Sequence, residues 1–178
     1  VIENRSGASG TIAADLVAKS AGDGYTVLIG QSTSVVVAPH MYAKLNYDTR
    51  KDLTPITLVA EIPNVLVVHP SVPAKNVKEL IAHAKAQPGK LAFASSGSGA
   101  SSHLAGVLFN MKAGTDIQHI PYKGTGPALN DLLGGQVQMS FTDVLTALPH
   151  IQAGKLRVLG VTSIARSRAL PDVPTVAE

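Results

Sequence analysis

The sequence predicts an α/β fold with a mostly parallel sheet, and three observations predict it. One pattern occurs three times: a short apolar run, a turn rich in Gly or Ser, then apolar residues at helical spacing. Of the 178 residues, 45% are hydrophobic and 15% charged, against roughly 25% charged in ordinary soluble domains. Strands covered on both faces by helices have this composition. The apolar runs are also short. None reaches the roughly 18 residues of a membrane-spanning helix, and the longest candidate, 53–70, is broken by Pro55, Glu61, Pro63 and Asn64.

The elements follow in order. Val1 and Ile2 read as the end of a strand. They lead into the turn Ser6-Gly7-Ala8-Ser9-Gly10 and a helix with Ile12, Leu16 and Val17 on one face, stopped at Gly22. Residues 25–30 read as a buried strand. Residues 55–61 and 64–69 read as two extended segments broken at Pro63. No helix separates them, so they read as a crossing between lobes. The expected organisation is a partial first lobe over 1–63, a second lobe over 64–163, and a return segment over 164–178 towards the first.

In the second lobe, Val77, Leu80, Ile81 and Ala84 fall at i, i+3, i+4 and i+7 and predict a helix over 76–86, stopped by Pro88-Gly89. Residues 91–94 read as a strand and 95–102 as a turn. A helix follows, with Leu104, Val107, Leu108 and Met111 as its inner face. The third repeat begins near Ile117 and turns at Lys123-Gly124-Thr125-Gly126. It places Pro127 at the first helical position and Leu129, Leu132 and Leu133 in the buried stripe. Strands over 138–141 and 157–162 flank a helix over 144–153 that contains Pro149 and ends at Gly154. The chain starts at Val1 in mid-strand and ends in a loop, so it reads as an internal piece of a longer protein.

Composition narrows the chemistry. There is no cysteine, which excludes thiolate catalysis and thiolate-bound metal. The six histidines show no metal-ligand spacing. Net charge is +3 with scattered basic residues, and aromatics are 4% with no Trp. A base-stacking surface for nucleic acid is not expected; a small anion suits this balance better. No lysine follows the glycines as a P-loop requires. Gly97-Ser98-Gly99 meets Ser102 where a dinucleotide fingerprint needs its third glycine. No cofactor is expected.

The turn Ser95 to Ser102 is the leading candidate. Backbone amides at a helix start, with the helix dipole behind them, receive anions. Glycines let a ligand approach the backbone and serines add donors. Read structurally, the same residues are a tight turn with Ser101 or Ser102 as helix cap. Ser101 or Ser102 as a hydrolase nucleophile is an alternative, but a Gly-x-Ser-x-Gly elbow is missing. His103 reads either as an anion donor or as cover for the first helical turn. Lys123 reads as a cation facing a carboxylate or as a solvated lysine. Asp143 reads as a helix N-cap or as a ligand contact at the mouth of the sheet.

Taken together, the motifs resemble those of the substrate-binding receptors of tripartite tricarboxylate transporters, the Bug receptors. Carrying the resemblance are Glu3-Asn4-Arg5-Ser6-Gly7-Ala8-Ser9-Gly10, Asp23-Gly24-Tyr25-Thr26, Ser95 through Gly106 with its Ser101-Ser102-His103-Leu104-Ala105-Gly106, Pro121-Tyr122-Lys123-Gly124-Thr125-Gly126-Pro127-Ala128, and Leu170-Pro171-Asp172-Val173-Pro174-Thr175. They span the chain in family order. Ser6 and Ser9 depart from the common Pro and Gly, and Val144 from a common polar residue.

The resemblance implies a type II periplasmic-binding-protein-like two-lobe fold, here one complete lobe plus part of the other. It implies an extracytoplasmic, periplasmic receptor, not an enzyme. Such a receptor captures a small carboxylate (a di- or tricarboxylate, an acidic amino acid or similar) and delivers it to a membrane permease. The ligand-binding residues it implies are Ser96, Gly97, Ser98, Gly99, Ala100, Ser101 and Ser102, then Lys123, Gly124, Thr125 and Asp143, with Gln31, Ser32 and Thr33 from the first lobe. The alternative reading is a ligand-sensing effector domain of a transcription regulator with the same fold.

Overall fold

The computed structural model describes residues 1–5 and 7–178, in two units, Val1–Val59 and Ala60–Glu178. Ser6, in the first expected turn, lies outside the described residues.

In the first unit, Gly7 and Gly10 take positive φ around the 3-10 turn Ala8–Gly10, which opens helix α1 (Thr11–Ala18). A π-helical turn, Thr33–Val37, runs into the short α2 (Ala38–Met41). The buried Tyr47 hydroxyl donates to the Ser34 carbonyl at 2.7 Å. The strands expected here do not form. Val1 and Ile2 are exposed, as are Tyr25, Val27 and Ile29 in 25–30, and residues 55–61 contain no strand either. Apolar composition makes a segment suitable for a strand, but pairing makes the strand. Every paired strand among the described residues belongs to the second unit. The face expected of α1 is likewise open: Ile12 and Leu16 are exposed, while Thr11 and Ala14 are buried.

In the second unit, five apolar runs pair as one sheet: β1 (Asn64–Val68), β2 (Ala92–Ser95), β3 (Gln118–Pro121), β4 (Met139–Asp143) and β5 (Arg157–Val161). Their order is β3-β2-β4-β1-β5. β2 runs parallel to β3 and β4, while β1 is antiparallel to both its neighbours, β4 and β5. The sheet is therefore mixed.

The two-residue alternation of strands sorts side chains to opposite faces. Leu66, Val68, Phe93, Met139 and Phe141 pack on one side with Leu80 of α3 (Val77–Ala86) and Phe109 of α4 (Ser101–Ala113). Val65, Val67 and Ala94 pack on the other with Leu129 and Leu132 of α5 (Thr125–Leu133) and Ala147 of α6 (Val144–Gln152). Beyond β5, Val176 N–H donates to the Val161 carbonyl and Val161 N–H to that of Pro174, laying the end of the chain along β5.

Helix α3 forms where its periodicity predicts. Asn76 caps it, accepting from Glu79 N–H at 2.9 Å, while Glu79 reaches back to Lys75 N–H at 2.7 Å. This reciprocal arrangement satisfies donors that a helix start leaves open.

Three local expectations are corrected. Helix α4 buries Ser102, Gly106 and Phe109, and leaves Leu104, Val107, Leu108 and Met111 exposed, the reverse of the predicted face. The reason is closeness: small residues let this helix settle onto Phe93, where larger side chains do not fit. Its N-cap is Ala100, so Ser101 and Ser102 are already helical. In α5 the first residue is Thr125, which makes Pro127 the third; its missing N–H still costs no helical bond there.

Candidate ligand-binding site

Because β2, β3 and β4 are parallel, their carboxyl ends reach one edge of the sheet, where α/β folds place ligands. Ser95 ends β2, Pro121 ends β3 and Asp143 ends β4. The predicted residues of the second unit therefore gather along a single edge.

The turn after β2 is held from within. Gly97 and Gly99 adopt φ of 140° and 81°, conformations that side chains resist. Ser95 is fully buried. Its Oγ accepts from Gly97 N–H at 3.2 Å and lies 2.6 Å from His119 Nε2. Ser96 N–H donates to Ser102 Oγ at 3.1 Å, and Ala100 N–H to the Gly97 carbonyl at 3.2 Å. Gly99 is buried and donates its N–H to His103 Nδ1 at 3.0 Å. The amides of Ser96, Gly97, Gly99 and Ala100 thus build the turn itself. The first bond of α4 runs from Leu104 N–H to the Ala100 carbonyl. The Ser101 and Ser102 amides precede it and have no intrahelical acceptor, and the helix dipole makes that end favourable for an anion. Ser98 and Ser101 are exposed beside them.

The turn after β3 is stitched to the first. Tyr122 N–H donates to the Ser95 carbonyl at 3.0 Å and Gly124 N–H to that of Ser96 at 3.1 Å. Gly124, at φ 109°, caps α5, Thr125 begins that helix, and Lys123 is exposed between the turns. Tyr122 hydroxyl donates to Asp131 Oδ2 at 2.6 Å. Desolvation, then this bond, pushes the phenol up to about 12.

At the end of β4, Asp143 Oδ1 accepts from Thr146 N–H at 2.8 Å and Thr146 Oγ1 at 2.5 Å, capping α6. Its neighbour Thr142 is buried with a hydroxyl that has no partner among the described residues. Gln31, Ser32 and Thr33 belong to the first unit, where the Gln31 carbonyl accepts from Ser34 and Val35 N–H and Thr33 is buried.

Sequence reasoning missed His119 and Thr142. His119 stacks between Phe93 and His103, with ring centroids 4.9 Å and 4.0 Å apart. The signal available was positional: His119 lies two residues before the Pro121-Tyr122-Lys123-Gly124 segment. Burial pulls both imidazoles below the ordinary value of 6.5, and for His119 the neighbouring His103 adds to the effect. Among the described residues, neither hydroxyl proposed as a nucleophile is hydrogen-bonded to an imidazole. Ser102 Oγ pairs with Ser96, and His103 Nδ1 is occupied by Gly99. Among the described residues no three His, Asp or Glu side chains converge on a metal-sized space.

The fold is that of a periplasmic binding protein: the solved structure of periplasmic binding protein BugD matches with a TM-score of 0.87 and 38% identity, covering 98% of this chain and 58% of that one. The chain belongs to the tripartite tricarboxylate transporter family receptors (TctC), whose family model matches residues 1–178. It is 42% identical to Protein BugT of Bordetella pertussis over all of this chain and 55% of that protein. A solved structure from R. palustris, Rpa4515 with adipate, matches with a TM-score of 0.93 and 39% identity, covering 99% of this chain and 59% of that one. MatC from Rhodopseudomonas palustris with bound malate matches with a TM-score of 0.84 and 33% identity, covering 96% and 58%. The chain spans about half the length of the curated relatives it matches.

Proposed function

We propose that this chain is part of a periplasmic solute receptor that captures a small dicarboxylate or related carboxylate and delivers it to a membrane permease. The observation that carries the reading is the Ser95–Ser102 turn. Its own amides are folded inward to brace it, and the helix-start amides of Ser101 and Ser102 are left at the parallel edge of the sheet. The exposed Ser98 and Ser101 hydroxyls and Lys123 add donors and a positive charge at the same edge. The adipate and malate held by two similar proteins support a dicarboxylate as the ligand class.

No catalysis is required. A carboxylate accepting several charge-assisted hydrogen bonds at about 1.5–3 kcal/mol each approaches the roughly 8 kcal/mol of micromolar affinity. Gln31, Ser32 and Thr33 are proposed as the contribution of the first unit. Asp143 is proposed to act by fixing the start of α6 at the edge, and Thr142 to offer its unpaired hydroxyl there.

Calorimetric titration with adipate and malate tests the reading. Ser101→Asp places a carboxylate at an exposed position beside the helix-start amides and is expected to abolish binding while the circular dichroism spectrum is retained. Equal affinity in Ser101→Asp would remove the turn from the site.

A further inference from the structure

Behind the turn sits a feature that ligand capture alone does not explain: two imidazoles stacked face to face, each bonded to a different part of the same loop. His103, in the first turn of α4, accepts the Gly99 N–H on Nδ1 at 3.0 Å. That bond requires Nδ1 to be without a proton, so His103 is neutral with its hydrogen on Nε2. His119, on β3, places Nε2 2.6 Å from Ser95 Oγ. The two rings lie 4.0 Å apart at an interplanar angle of 25°.

The two contacts differ in what a proton does to them. Ser95 Oγ is both donor and acceptor. If His119 gains a proton on Nε2, the hydroxyl accepts from it and turns its own hydrogen to the Gly97 carbonyl, 3.2 Å away. The loop keeps its bonds. A backbone N–H has no such freedom. If His103 gains a proton on Nδ1, two donors face each other and the Gly99 anchor is lost.

We propose, on the reading that this turn receives a carboxylate, that His103 is a positioning residue whose unprotonated Nδ1 holds the turn in its binding shape, and that its protonation releases Gly99 and weakens ligand binding. A charge on His103 in turn disfavours a second one on the stacked His119 ring. From β2 the rings meet Phe93 and Ser95, from the turn Gly99, and from α4 and β3 one another. Among the described residues no carboxylate or ammonium bears on either ring. Partial burial lowers both below the ordinary imidazole value.

The test follows imidazole and amide nitrogens of the ¹⁵N-labelled chain by NMR from pH 8 downwards, without ligand. His103 is expected as the Nε2–H tautomer at pH 8, with Gly99 amide protection lost in step with His103 protonation. In His103→Gln, whose side-chain oxygen accepts the same N–H but does not titrate, protection is expected to lose that pH dependence. In His103→Ala it is expected to be low throughout. Adipate titrations of wild type and His103→Gln at matched pH cancel the ligand's own protonation. Wild-type affinity is expected to fall about fivefold relative to the variant, the loss of one hydrogen bond. Gly99 protection that ignores His103 titration, or wild-type affinity that rises on acidification relative to His103→Gln, overturns the proposal. If adipate and malate bind at no pH, the carboxylate reading fails, while the ligand-free amide titration still decides the role of His103.

Discussion

A Cβ added to Gly106 would lie 2.2 Å from Cε2 of Phe93. Helix α4 therefore rests on the Phe93 ring through a backbone with no side chain between them. Phe93 is almost wholly buried and its other contacts include the stacked His119 ring, so it has little room to yield.

Gly106→Ala is accordingly expected to destabilise the fold by about 1–3 kcal/mol, the usual cost of overpacking a filled core. Urea denaturation gives the readout, as a lowered midpoint with an unchanged slope. A midpoint equal to wild type would mean that α4 slides outward at no cost.

The half-buried imidazoles of His103 and His119 make stability pH-dependent. Both titrate below 6.5 in the folded chain, so on acidification the unfolded chain takes up protons first. Stability is expected to fall as the pH drops below about 6.5 and to level off only beneath the folded-state values. Urea midpoints between pH 7.5 and 5 check this. A variant with Gln at both 103 and 119 is expected to have a shallower slope.

Tyr122 acts at the opposite end of the scale. Its phenol is pushed up to about 12 against an ordinary 10.0. The folded chain therefore holds this proton where the unfolded chain releases it, and the resulting stability is lost as pH rises from 10 towards 12. In a spectrophotometric titration at alkaline pH, Tyr122→Phe is expected to remove one late-titrating tyrosinate and to leave that of Tyr47, whose phenol burial also raises. If Tyr122 ionises near 10, its bond to Asp131 does not persist in solution.

Asn76→Ala removes the cap of α3 and the partner of Glu79 N–H. The expected loss is about 1 kcal/mol, read as a fall in melting temperature with the ligand response intact. Asn76→Asp, which keeps an acceptor at the same place, is expected to restore most of it.

Helix α3 illustrates what was legible. Its Asn76 cap is visible only in the structure, but its periodicity and its stop depend on residues close together in the chain, and the helix forms as predicted. The same holds for the apolar runs that become β1 to β5 and for the Gly/Ser turn after β2. Helix α4 illustrates what was not. Counting apolar residues points to Leu104, Val107, Leu108 and Met111, yet the buried side is Ser102, Gly106 and Phe109. Contact depends there on the ring of Phe93, eight and more residues away in the chain, and a single glycine outweighs four large apolar side chains because it alone permits the approach.

The candidate site divides the same way. By itself the sequence carried an α/β class, the donor-rich turn and the motifs by which it resembles its family, since these rest on local pattern. Because a strand depends on a partner elsewhere, only the tertiary structure showed that segments 25–30 and 55–61 find no strand partner among the described residues. It also decided which amides of the turn are spent on the turn itself. Parallel pairing of β2, β3 and β4 sets three loop starts side by side, and stacking brings His119 against His103 across 16 residues of chain. Those relations arise from packing between distant segments, which no local pattern in the sequence encodes.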